Sequence, residues 1–170
     1  MKKFLTSIVP LILFFIVLFT VYQLVILNIS RIKNDPVNFA YITMQERDKD
    51  LLCLSDNIYA EANNQNAEGK IAVAQVTLNR VASGKFGNSV CQIVYAHAQF
   101  SWTLDIPKAM KAKNMVAYNE AKEVAKKVLM EGFRLPSIKT ALYYHADYVN
   151  PSWAKGKTKL ITIGNHIFYA

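Results

Sequence analysis

The stretch from Leu51 to Arg80, LLCLSDNIYAEANNQNAEGKIAVAQVTLNR, constrains the fold more than any other part of the chain. Leu51, Leu54, Ile58 and Ala62 recur at three- and four-residue steps, which marks one buried face of an amphipathic helix. Glu61 follows Ile58 by three residues and Leu54 by seven, so the same helix turns a carboxylate toward the core. Asn63-Asn64 then stops the pattern, because Asn tolerates the left-handed conformation that ends helices, and Glu61 is left in the last turn. The negative end of the helix dipole and an apolar neighbourhood both raise the pKa of a carboxyl placed there, which suits a general acid. On spacing alone, an ordinary glutamate reaching solvent at the edge of the core fits as well. A second helix, Ala67 to Val81, carries Ile71, Ala74, Leu78 and Val81 on one face with Val73 and Val76 beside them. Apolar over more than half its circumference, it belongs at the centre of the domain.

Three segments divide the 170 residues: 1–30, 31–49 and 50–170. Phe4 to Ile29 holds no charged residue across 26 positions and, as a helix of roughly 39 Å, is long enough for a bilayer core of ~30 Å. Without a small-x-small cleavage site before Ser30, it reads as an uncleaved transmembrane anchor. Lysines and arginines flank it on both sides, so charge does not set its orientation. Ser30 to Lys49 is polar, contains Pro36 and lacks a sustained period, and it is expected to be a tether.

Beyond the central helix, Ser83 to Asn88 is a loop by composition and Ser89 can cap a short helix through Tyr95. In the loop that follows, Gln99 and Ser101 carry hydrogen-bonding groups, and Phe100 and Trp102 carry flat apolar faces that on composition alone cover the core. Met115 to Gly132 is helical, with Val124, Val128 and Leu129 inward and its lysines on a solvated face. Thr140 to Tyr144, Lys159 to Ile163 and His166 to Tyr169 are β-branched and aromatic, which predicts a small antiparallel sheet or hairpin and an α+β domain. Tyr143, Tyr144, His145, His166, Phe168 and Tyr169 are candidates to line a cleft opposite Glu61, about half of them by packing. Cys53 and Cys91 are the only cysteines; they are either a disulfide, in an oxidising compartment, or two separate buried thiols.

The runs Tyr59-Ala-Glu-Ala62, Glu68-Gly-Lys-Ile-Ala-Val-Ala74, Leu78-Asn-Arg-Val81, Asn88-Ser-Val-Cys91 and Gln99-Phe-Ser-Trp102 stand in order along the chain. Together with Tyr144-His-Ala-Asp147, Pro151-Ser-Trp-Ala154 and Ile163-Gly-Asn-His-Ile-Phe-Tyr169, they resemble the cell-wall hydrolase family of spore-cortex-lytic enzymes. The resemblance covers Leu51 to Ala170 and implies a lysozyme-like, mostly helical α+β domain that cuts peptidoglycan glycan strands, with Glu61 matching the catalytic glutamate. Where many members read Arg-Gly-Glu, this chain has Asn63, Asn64 and Gln65, so one carboxylate near the site is missing.

Residues and resemblance together indicate a peptidoglycan glycosidase of the lytic transglycosylase type that cleaves the bond between N-acetylmuramic acid (MurNAc) and N-acetylglucosamine (GlcNAc). Glu61 would be catalytic, and Gln99, Phe100, Ser101, Trp102, Tyr144, His145, His166 and Tyr169 would bind substrate, Gln99 and Ser101 through sugar hydroxyl and acetamido groups and one of the Phe100 and Trp102 rings by stacking while the other is core, with no cofactor or metal. Two other classes remain: a zinc-dependent amidase using His97, His145, His166 and Asp147, and a non-catalytic wall-binding module. The formal charge of +8 draws the protein to the anionic wall or to lipid headgroups. No nucleic-acid recognition motif accompanies it. The expected partners are therefore glycan strands, plus a membrane through the N-terminal helix, with the domain outside the cytoplasm.

Overall fold

The computed structural model describes residues 13–27, 36–97, 99–106 and 114–170. Backbone contacts group the chain into two units, Met1–Glu46 and Arg47–Ala170. In the first, residues 13–27 form a helix, α1, whose apolar side chains are all exposed. Among the described residues no helix is long and apolar enough to cross a membrane. Residues 4–12 and 28–29 of the expected anchor lie outside the described residues.

The segment expected as an irregular tether is helical from Pro36 onward: α2 runs from Pro36 to Ala62. Pro36 sits at the first helical position, where its missing N–H costs nothing, and Met44 to Lys49 are mostly good helix formers that carry the helix on into Leu51.

In the second unit, α3 (Ala67–Ser83) is the centre. The Asn66 side chain accepts from Gly69 N at 2.8 Å and caps its start; Gly84, left-handed at φ 64°, closes its end. Ile71 to Thr77 are buried without interruption, so the helix has apolar neighbours on two sides. On one side Ile71 and Ala74 pack with Leu54 and Ile58 of α2, Val90 to Val94 of α4 (Val90–Val94), and Ala121, Ala125 and Val128 of α5 (Met115–Leu129). On the other, Ala72 and Val76 pack with Ile138, Ala141, Ile163 and Phe168.

That second side is covered by a three-stranded antiparallel sheet of β1 (Tyr143–Ala146), β2 (Lys159–Ile163) and β3 (His166–Tyr169), with β3 in the middle. The register pairs Tyr144 with Phe168 and both Ala146 and Ile163 with His166. The fold is thus mostly helical with a small sheet, as the sequence implies. β1 begins later than expected because carbonyls before it are already used: Asn79 Nδ2 donates to Ile138 O and Ala141 O, and Arg80 Nε donates to Leu142 O.

Both Phe100 and Trp102 are buried, which corrects the expectation that one ring would face sugar. Trp102 Nε1 donates to Asn57 Oδ1, and Asn57 Nδ2 donates to Thr77 Oγ1, a buried chain of bonds that ties the loop to α2 and α3. An indole N–H taken into a core needs such a partner, and Asn57 supplies it.

Cys53 of α2 and Cys91 of α4 form a disulfide across a separation of 38 residues. Reducing it, or replacing both with Ala, is expected to lower unfolding stability by about 3–4 kcal/mol, measured by denaturant titration with and without reductant.

Candidate active site

Glu61 occupies the last turn of α2, and its Oε2 accepts a hydrogen bond from Tyr144 Oη at 3.0 Å. Tyr144 reaches it because α3 fixes the approach to β1. Gln75 Nε2 donates to Leu135 O at 3.0 Å and Gln75 Oε1 accepts from Leu135 N at 2.6 Å, and Asn79 and Arg80 hold the carbonyls of residues 138, 141 and 142. Three polar side chains on one buried helix therefore deliver the strand that carries Tyr144.

Glu61 also lines an open cleft of about 240 Å³ with Asn63, Asn64, Gln65, Tyr148, Asn165 and His166. Gln65 joins its two walls. Gln65 Oε1 accepts from Asn165 N at 3.0 Å and Gln65 Nε2 donates to Asn64 Oδ1 at 3.1 Å, so the loop after α2 is stitched to the β2–β3 turn. Two glycines make room for it. A Cβ on Gly69 would stand 2.9 Å from Gln65 Cβ, and one on Gly164, which is left-handed at φ 55°, would collide with Gln65 Oε1.

Burial raises the Glu61 carboxyl above 4.5, and this outweighs the Tyr144 hydrogen bond and the charge of Arg80, which both act to lower it. Arg80 is buried with its guanidinium between two rings, 5.1 Å from the Phe86 centroid and 5.3 Å from that of Phe100. Burial, with the Glu61 charge second, pushes the Tyr144 phenol well above its ordinary range, so it stays a donor. His166 is lowered by burial, against the pull of Asp147, which favours the neutral ring.

The expected substrate residues divide sharply. His166 lines the cleft and Tyr144 holds the acid. His145 and Tyr169 do not join them. Side chains alternate along a strand, so His145 and Tyr169 point to the opposite face from Tyr144 and Phe168, where they stack at 5.3 Å, bond to each other at 2.9 Å and pack on Trp153. Gln99 and Ser101 are exposed, but neither they nor Phe100 and Trp102 line the cleft. Tyr148, 84% exposed at the cleft, and Arg80, Gln65 and Asn165 were not expected as site residues. Of these, Arg80 and Asn165 lay within motifs of the resemblance, whereas nothing in the local pattern marks Tyr148.

The sequence pattern of the family described as Cell Wall Hydrolase matches residues 64–169. The chain belongs to this family. The match begins three residues after Glu61 and takes in Gln65, Arg80, Tyr144, Tyr148, Asn165 and His166. Relatives include the spore cortex-lytic enzyme of Bacillus subtilis, 28% identical over 121 residues, which are 70% of this chain and 37% of that protein. That of Halalkalibacterium halodurans is 24% identical over 143 residues, 83% of this chain and 38% of that protein. The chain thus spans less than half the length of these cell wall hydrolase relatives.

Among solved structures, the catalytic domain of the Bacillus cereus SleB protein superposes with a TM-score of 0.57 at 27% identity, covering 72% of this chain and 91% of that one. The catalytic domain of the germination-specific lytic transglycosylase SleB from Bacillus anthracis gives the same TM-score and identity over 71% and 93%.

Because the folded Glu61 binds its proton more tightly than an unfolded glutamate, its contribution to stability is complete below pH 4.5 and is lost as pH rises through the folded value. Glu61→Gln carries no charge to bury. It is expected to be more stable than the natural protein at pH 7, with the difference closing below pH 4.5, as read by denaturant unfolding at both pH values.

Proposed function

We propose that this chain is a lytic transglycosylase that cleaves peptidoglycan glycan strands between MurNAc and GlcNAc, with Glu61 as its single catalytic carboxyl. The observation that carries this reading is a glutamate held toward its protonated form by burial at the wall of an open polar cleft. Tyr144 occupies Oε2, and among the described residues no hydrogen bond is made to Oε1.

Glu61 donates its proton to the glycosidic oxygen as the C1–O bond breaks and oxocarbenium character develops on the muramic ring. The carboxylate left behind is stabilised by the Tyr144 hydroxyl and the Arg80 charge, the two effects that favour its ionised form. It then takes the proton of the muramic C6 hydroxyl as that oxygen bonds to C1, closing a 1,6-anhydro ring and restoring the acid. Among the described residues, Glu61 is the only carboxylate lining the cleft, which favours a mechanism that uses one group twice over one needing a second acid. Gln65, at the position where the resemblance has a glutamate, is an amide engaged with Asn165 and Asn64. Glu68, exposed in the first turn of α3, is placed to favour the helix dipole.

His166 and Tyr148 supply ring surface for sugar within the cleft. The amidase reading needs converging metal ligands, and among the described residues no three His, Cys, Asp or Glu side chains gather into such a group. We read Phe4 to Ile29 as the anchor that keeps the domain outside the cytoplasm; the exposed apolar helix α1 and the disulfide are consistent with that placement.

Digestion of purified peptidoglycan followed by mass spectrometry is expected to yield anhydro-muramic ends, and Glu61→Gln to slow their release by about 10²–10⁴-fold. Reducing ends would make the enzyme a hydrolase that uses water at the same site. Wall binding with no fragments from the natural protein would leave a binding module. Tyr148→Ala is expected to raise KM about 2- to 10-fold, the loss of one aromatic contact, with little change in kcat.

A further inference from the structure

A second hollow, about 770 Å³, opens between the start of α3 and α5, lined by Lys70, Val116, Asn119, Glu120, Glu123 and Val124. Gln65 lines this groove and the Glu61 cleft alike, so the two adjoin.

Size and chemistry together assign its occupant. At about 240 Å³, the Glu61 cleft falls below the ~300–1,000 Å³ usual for small-molecule sites, whereas the groove lies within that range. A glycan strand that carries a peptide on its muramic acid therefore needs room beyond the cleft. The cleft offers Tyr148 and His166, rings suited to sugar, but among the described residues no aromatic side chain lines the groove. What the groove offers is a peptide's complement: aliphatic surface from Val116, which is 71% exposed, and from Val124, an amide from Asn119, and acid–base groups. Lys70 is buried and paired with Glu120 at 2.8 Å, which leaves Glu123, one turn further along α5 and exposed, as a carboxylate available to an incoming amine.

Resting on the glycan-cleaving reading above, we propose that the α3–α5 groove receives the stem peptide of the muramic acid bound at the cleft, with Val116 and Val124 against its alanine methyl groups and Glu123 toward the amine of its diamino acid.

The test uses the full chain on two matched substrates, glycan strands bearing tetrapeptide stems and the same strands stripped of them by an amidase. The natural protein is expected to cut stem-bearing strands with at least a tenfold higher kcat/KM. Val116→Asp and Glu123→Lys, both at exposed positions, are expected to lower that value about 3- to 10-fold and to leave the stripped strands unaffected. Equal rates on both substrates, or variants that slow both alike, overturn the groove assignment while glycan cleavage stands. A binding arm is independent of cleavage: the tetrapeptide L-Ala-γ-D-Glu-L-Lys-D-Ala is titrated into the Glu61→Gln protein and followed by amide NMR. Shifts at Val116, Asn119 and Glu123 support the groove even if neither strand is cut, an outcome that would overturn only the glycosidase reading. No shift at those residues overturns the groove.

Discussion

Helix α3 is buried on two sides, and every polar side chain it carries inward must find a partner inside the protein. Gln75 and Asn79 meet that demand by taking backbone groups of residues 135–141, and Thr77 meets it through Asn57; Arg80 meets it in part, since Nε donates to Leu142 O while its buried Nη1 makes no hydrogen bond among the described residues. One set of bonds serves two ends. It lowers the cost of burying polar groups in the core, and it fixes the path of the chain into β1 so that the Tyr144 hydroxyl arrives at Glu61.

At Glu61 opposing effects meet on one carboxyl. Burial favours the neutral acid, while Tyr144 and Arg80 favour the anion. For a group that must give up a proton and then take one back, that opposition is useful, since either effect alone would hold it in a single state. Burial lowers the Arg80 pKa, against the pull of Tyr144, Tyr143 and Glu61, and the guanidinium is held over the Phe86 and Phe100 rings and anchored on Leu142 O. This gives Phe100 a purpose that differs from the sugar stacking its loop suggested: it helps hold the charge that faces the acid.

Periodicity made much of this legible in the sequence. The helical steps from Leu51 to Ala62 and from Ala67 to Val81, the break at Asn63-Asn64 between them and the strand pair at the end of the chain all reflect local rules that the fold keeps. Glu61 stood out as a carboxylate on an apolar face. What local pattern could not supply was the pairing of distant segments. The face of the sheet that His145 and Tyr169 occupy follows from the register of β1 on β3, and the burial of Trp102 follows from Asn57, 45 residues earlier. Tyr148 reaches the cleft through a connection whose composition is ordinary. A helix beginning at Pro36 was missed because a proline reads as a break, although it is equally at home in a first turn.

The direct measure of this account is the titration of the Glu61 carboxyl itself, followed by carbon-detected NMR of the full chain across acid and neutral pH. A midpoint above 4.5 would show a carboxyl kept protonated by its surroundings and ready to act as an acid. A midpoint at or below 4.5 would mean that Tyr144 and Arg80 outweigh burial, leaving an anion that cannot begin the reaction.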